Sequence, residues 1–240
     1  MRKAGFICLV LTALWGCQKD PQKYVNNNIS NIFSVSAPPD SITADGKSTL
    51  TITAQLNSLT NTADVKTVSF STSVGVFADN GLASYATDAG LVGGKLLAAA
   101  YLRPTQDVTD RVIVKVSIAG LDTSLIIRYV TARPDSIHSE STVAIIKRSY
   151  AGEVPVTTYL VRKIGLPSLH QTVSYNAIKA DGTPIGSFRG ISPTGNDVTG
   201  LVNAVLVLRD SVYTGNIRII STVAGTQKKL ADTVKVYVKP

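Results

Sequence analysis

Two histidines (His138, His170), two glutamates (Glu140, Glu153) and two cysteines (Cys8, Cys17) are all that this 240-residue chain holds of three residue types that commonly ligate metals or move protons. Glu140 lies two residues from His138. That spacing puts both on one face of a strand but supplies two ligands where zinc needs three or four, so no metal site is expected. Serines and aspartates are plentiful, yet there is no Gly-x-Ser-x-Gly elbow to expose a nucleophile. Gly75 and the pair Gly93-Gly94 are not spaced as a phosphate-binding loop and read as turns. Asp79-Asn80-Gly81 and Asp88 lack the spacing of an EF-hand and read as turn chemistry. The expectation is a protein without catalytic residues or cofactor, and not an enzyme.

The one cysteine placed for chemistry is Cys17. Arg2 and Lys3 precede a short run, Ala4 to Leu14, apolar apart from Thr12 and far below the roughly 20 residues of a membrane-spanning helix. The run ends Leu14-Trp15-Gly16-Cys17 and resembles a bacterial lipoprotein signal, with the bulky Trp15 departing from the usual small residue. That resemblance implies removal of residues 1–16, Cys8 included, and acylation of Cys17, the only cysteine of the mature chain. Each buried methylene of an acyl chain contributes about 0.8 kcal/mol, so several chains make a durable anchor. Gln18 is not the aspartate that looks like an inner-membrane retention signal, which favours the outer membrane. Cys17-Gln18-Lys19-Asp20 is similar to the export signal of surface lipoproteins, so the chain is expected to face either the periplasm or the outside. Residues 18–30 are polar and would form a tether with a span of about 20 Å.

The remainder must be folded: 44% of residues are hydrophobic and 17% charged, too apolar for disorder. From Asn31 onward, short Val/Ile/Thr-rich runs alternate with Gly, Asp, Asn and Pro clusters, without the 3.6-residue period of a helix, so the class is all-β. Seven strands are predicted in the first half: 32–36, 49–56, 67–72, 83–87, 95–102, 112–118 and 125–130. The alternation of 49–56 puts Leu50, Ile52, Ala54 and Leu56 on a buried face. Two tandem β-sandwiches, 31–133 and 134–240, are expected, joined at Thr131-Ala132-Arg133-Pro134 in a semi-rigid line. Four echoes support a repeat. Pro39-Asp40-Ser41-Ile42 recurs at Pro134-Asp135-Ser136-Ile137, Val68-Ser69-Phe70 at Val173-Ser174-Tyr175, Leu102-Arg103 at Leu208-Arg209, and Ile118-Ala119-Gly120 at Val223-Ala224-Gly225. The first offset is about ten residues shorter than the others, which places an insertion near Ala151 to Gly165.

The stretch Ala44-Asp45-Gly46-Lys47-Ser48-Thr49-Leu50-Thr51-Ile52-Thr53-Ala54, followed by Val68-Ser69-Phe70-Ser71-Thr72-Ser73-Val74-Gly75-Val76-Phe77 and Thr87-Asp88-Ala89-Gly90, resembles the bacterial immunoglobulin-like group 1 domains of invasin and intimin stalks. It covers about residues 35–131. In 135–240 only Asp181-Gly182 and Gly186-Ser187-Phe188 keep the outline. The resemblance implies that the two tandem β-sandwiches are immunoglobulin-like and serve as an adhesion, spacer or assembly module of the cell envelope, with no catalytic residues to carry over.

Charge is uneven. Residues 31–134 carry eight Lys+Arg and eight Asp+Glu, whereas 135–240 carry twelve against seven. Lys147-Arg148, Arg162-Lys163 and Lys228-Lys229 are the candidate patch for an anionic partner, a glycan or envelope polymer, if they share one face. Nucleic acid is not expected, since aromatic residues do not interleave with these pairs. Trp15 leaves with the signal, so Tyr150, Tyr159 and Tyr213 are the candidates for a binding strip in the second half.

Overall fold

The computed structural model describes residues 33–57, 66–192 and 195–240. The expected signal segment, Cys17 and the expected tether lie outside the described residues, as does Ile32 of the first expected strand. The described residues contain eighteen strands and no helix.

In the first half, β1 (Phe33–Ser36), β3 (Leu50–Leu56), β8 (Lys95–Arg103) and β5 (Val76–Phe77) form sheet I in that order, with β7 (Gly90–Val92) also on β8. Sheet II runs β2 (Ser41–Thr43), β10 (Leu121–Val130), β9 (Thr109–Ile118), β4 (Thr67–Thr72), β6 (Ser84–Asp88). The expected alternation is observed: Leu50, Ile52, Ala54 and Leu56 are all buried. They meet Val112, Val114, Val116 and Ile118 of β9 across one core, closed by Phe33, Phe70 and Phe77. The short strands β2, β5 and β7 were not among the seven expected.

The second half repeats the plan. Sheet III is β11 (Ser136–Glu140), β13 (Glu153–Val161), β16 (Leu201–Val207), β15 (Ser187–Arg189). Sheet IV is β12 (Ile145–Lys147), β18 (Lys229–Lys239), β17 (Gly215–Ala224), β14 (Ser174–Ile178). Val154, Val156, Leu206, Ile217, Ile219, Val236 and Val238 are buried between them.

Register corrects the sequence alignment of the halves. Phe33 pairs with Leu56 as Ile137 pairs with Leu160, and Leu50 pairs with Leu102 as Val154 with Leu206. Both comparisons give an offset of 104. Ile42 of β2, parallel to β10, therefore corresponds to Ile146 of β12, parallel to β18, and not to Ile137. The Pro-Asp-Ser-Ile echo joins strands with different partners, and Leu102 answers to Leu206 rather than Leu208. No ten-residue insertion is needed before Gly165. The Val68 and Ile118 echoes do coincide with structure, since Phe70 faces Val116 where Tyr175 faces Ser221.

Tyr129 on β10 is fully buried, and its hydroxyl donates to the Val74 carbonyl at 2.8 Å. Gly75 makes room for it. A Cβ there would lie 2.5 Å from both the tyrosine hydroxyl and the Arg103 carbonyl, and its φ of +85° suits glycine. Burial pushes the Tyr129 hydroxyl up to about 12. The folded state thus holds this proton more tightly than the unfolded chain, whose value is near 10, and the stabilisation present below pH 10 is lost as pH rises to 12. Tyr129→Phe is expected to cost about 1 kcal/mol at neutral pH by removing one of the two hydrogen bonds to the Val74 carbonyl, which keeps the Thr72 hydroxyl at 2.7 Å. It should also remove up to about 1.4 kcal/mol per pH unit from the slope of stability above pH 10. Urea unfolding from pH 8 to 11.5 measures both.

Candidate functional site

Two places concentrate polar side chains: the joint between the halves, and a cleft beside it. The joint is built by the segment after β13, Arg162 to Gln171, which folds back on the first sandwich. Asp45, 2% exposed, first organises its own turn, its carboxylate accepting from the amides of Lys47 (2.9 Å) and Ser48 (2.7 Å) and from the Ser48 hydroxyl (2.6 Å). Its backbone carbonyl then accepts from the Leu166 amide at 3.0 Å, and its carboxylate lies 3.8 Å from the Arg162 guanidinium. Arg162 also donates to the carbonyls of Arg133 and Ile164.

Ser168, fully buried, is the centre of the clasp. Its hydroxyl donates to the Ala44 carbonyl and accepts from the Ala132 amide, both at 2.8 Å, and its own amide donates to the Ala132 carbonyl at 3.0 Å. Gln106 and Gln171 lock the flanks: the Gln106 amide side chain donates to the Pro167 carbonyl, and that of Gln171 to the Ala132 carbonyl. Gly165 permits the approach, since a Cβ would lie 2.4 Å from the Asp45 carbonyl and φ is +66°.

The cleft, about 520 Å³, lies between Arg133 at the joint and the β17–β18 hairpin, and its lining includes Ser174, Thr222, Thr226, Lys228 and Lys229. Ile118 pairs with Leu121 across a tight turn, while the corresponding Val223 pairs with Leu230. The four additional residues of the second half therefore fall in this hairpin. Thr226 fastens it to the joint, its amide donating to the Pro134 carbonyl and its hydroxyl to Asp135. Asp135 also accepts from the Lys163 amide, and these bonds hold its carboxyl below the usual carboxylate range, the Lys163 amide contributing most.

The six cations singled out from sequence do not form one patch. Lys147 pairs with Lys239 at one end of β18, and Lys229 pairs with Ala224 at the other, about 33 Å away along the strand. Arg148 donates its amide to the Lys239 carbonyl at the far end. Arg162, 14% exposed at its side chain, is committed to the joint. Only Lys228 and Lys229 line the cleft.

Nor do the tyrosines form a strip. Tyr159 stacks on His138 and donates to Glu140 at 2.7 Å, which raises the tyrosine's pKa. Tyr213 lies under Lys179, whose ammonium bonds Asp210 at 2.8 Å and, with the amides of Val212 and Tyr213, pulls that carboxyl down to about 2. Tyr150 sits beneath Arg209. His138 Nδ1 is 3.3 Å from Asp232. Asp79 accepts from the Tyr101 amide, Asn80 from the Leu82 amide, and Asp88 from the Thr67 hydroxyl, so each is engaged in local structure.

Gly165→Val is expected to open the clasp while leaving both sandwich cores intact. Limited proteolysis should then cut near Arg133, and small-angle scattering should show a wider range of particle lengths. Thermal unfolding should separate into two transitions where the parent chain gives one.

No family model and no curated protein matches the chain. Among solved structures it is similar to the Yersinia pseudotuberculosis adhesin InvE, with a TM-score of 0.51 at 14% identity over 89% of this chain and 60% of that one. It is also similar to invasin, a bacterial integrin-binding protein, with a TM-score of 0.55 at 17% identity over 86% of this chain and 39% of that one. The chain thus spans less than two thirds of either adhesin, and the likeness is one of fold. The two sandwiches are immunoglobulin-like, of the kind found in invasin-type adhesins.

Proposed function

We propose that the chain is a non-enzymatic lipoprotein of the outer membrane, held by acylated Cys17, whose two sandwiches serve adhesion, spacing or assembly at the cell envelope. The observation that carries this reading is the clasp. Backbone and buried side-chain hydrogen bonds from Arg162–Gln171 to Ala44, Asp45, Gln106 and Ala132 make a fixed extension of two sandwiches, suited to holding a surface at a set distance from a membrane. The adhesin-like fold supports the same reading. The tether of residues 18–30 would lift the first sandwich clear of the lipid headgroups.

Fractionation of cells expressing the full-length protein tests the anchor. The parent chain is expected in the membrane fraction and Cys17→Ser in the soluble one; a Cys17→Ser protein that remains on the membrane overturns lipid anchoring. Protease added to intact cells then distinguishes the two faces of the outer membrane, since digestion without lysis means outward presentation and protection means a periplasmic assembly role.

A further inference from the structure

The outer face of sheet IV carries Lys229, Lys235 and Lys239 along β18, with Arg218 on β17 and Lys147 on β12, all exposed. The outward positions of its four strands include no Asp or Glu. Asp232, the one carboxylate on β18, lies on the opposite side, where it accepts from the Ser139 amide. None of the five cations belongs to an ion pair among the described residues.

Two arrangements on this face work against folding. Arg218 stands directly opposite Lys235, and Lys147 directly opposite Lys239. Like charges at facing positions of neighbouring strands destabilise a sheet. The sister face in the first half is arranged differently: on sheet II, Lys115 pairs with Asp122 at 2.6 Å and Arg128 with Asp40 at 3.1 Å. The same architecture therefore neutralises its outer face once and leaves it cationic once.

We infer that this face is the docking strip for a linear polyanionic glycan, one bearing carboxylate or sulfate groups at regular intervals. Four of the five cations gather within about 13 Å at the β12 end of the face and Lys229 stands about 20 Å farther along β18, so the charge spans about 33 Å of strand, which matches an extended polymer rather than a compact anion. Tyr237, 44% exposed between Lys235 and Lys239, offers a ring on which a sugar can stack. At the joint end the strip runs into the cleft, which shares Lys229 and adds the hydroxyls of Ser174 and Thr222. The inference rests on the chain being a binding module but not on its anchor, and it stands whether or not Cys17 is acylated.

The test compares two triple variants of the full chain, purified in mild detergent, with equal change in net charge within the same half. One is Arg218→Gln/Lys235→Gln/Lys239→Gln on the face; the other is Lys163→Gln/Arg189→Gln/Arg209→Gln, off both the face and the cleft. Probes are heparin, polygalacturonate, neutral dextran and phosphatidylglycerol vesicles. The parent chain should bind heparin or polygalacturonate, but not dextran, with affinity falling steeply as salt rises. The face variant should bind at least tenfold more weakly and melt no lower than the parent, because like-charge contacts have been relieved; the off-face variant should lose less than threefold. Preference between the two glycans identifies sulfate or carboxylate as the anion read. Absence of binding to both glycans, an equal loss in both variants, or binding to vesicles alone overturns the proposal. Should the face triple melt low, the single variant Lys235→Gln must still weaken binding more than Arg189→Gln on sheet III for the proposal to hold.

Discussion

The pleat of one strand ties the core of the second sandwich to its surface. Along β18, Val236 and Val238 point inward and are buried, while Lys235, Tyr237 and Lys239 between and beyond them point outward. A slip of one residue against β17 would bury the lysines and expose the valines, so burial of these side chains specifies the register strongly. The pairing with β17 is continuous from Gly215–Val238 to Ala224–Lys229. The strand positions that bear the outward charges are therefore as fixed as the core, and a sheet rather than a loop presents them.

A second constraint acts at the joint, and its physics differs. The clasp depends on hydrogen bonds to backbone carbonyls and amides, which are directional where apolar contact is not. Ser168 alone satisfies the Ala44 carbonyl and the Ala132 amide, groups that are otherwise left without a partner where the chain passes between sandwiches. The orientation of the second sandwich on the first follows from those bond directions. The Asp45–Arg162 pair adds charge complementarity, but at 3.8 Å it is secondary to the shorter bonds around it.

Legibility in the sequence followed range. The strand at 49–56 was readable because its alternation is local and unbroken, and the all-β class followed from many such runs. Strands β2, β5 and β7 are two or three residues long and carry no period to read. The Pro-Asp-Ser-Ile echo misled because a tetrapeptide at a strand entrance does not report which strand it will pair with; Ile42 pairs in parallel with Tyr129, and Ile137 antiparallel with Leu160. Ser168 and Ala44 are 124 residues apart, and a serine in a loop gives no sign of such a partner. Cationic dipeptides were the wrong signal for a patch. Neighbouring residues on a strand face opposite ways, so the informative pattern was Lys235-Val236-Tyr237-Val238-Lys239, with Arg218 between Ile217 and Ile219.

The two halves show how one architecture divides its labour. Their inward positions correspond closely: Val112, Val114 and Ile118 to Ile217, Ile219 and Val223, with Val116 answered by the buried Ser221. That serine is satisfied by the Thr158 hydroxyl, itself bonded to Ser139 and Tyr175, so the second core carries a closed hydroxyl network where the first is apolar. The outward positions of the same strands have no packing to satisfy, and there the halves part company. Ion pairs quiet the surface of the first, while cross-strand repulsion is tolerated on the second. A sandwich can bear that repulsion because its stability comes from the buried face, and the opposed cations remain in water, where each pair interacts weakly. A polyanion laid along the strip would turn two unfavourable contacts into favourable ones, so binding would stabilise the fold most where it is now least neutralised.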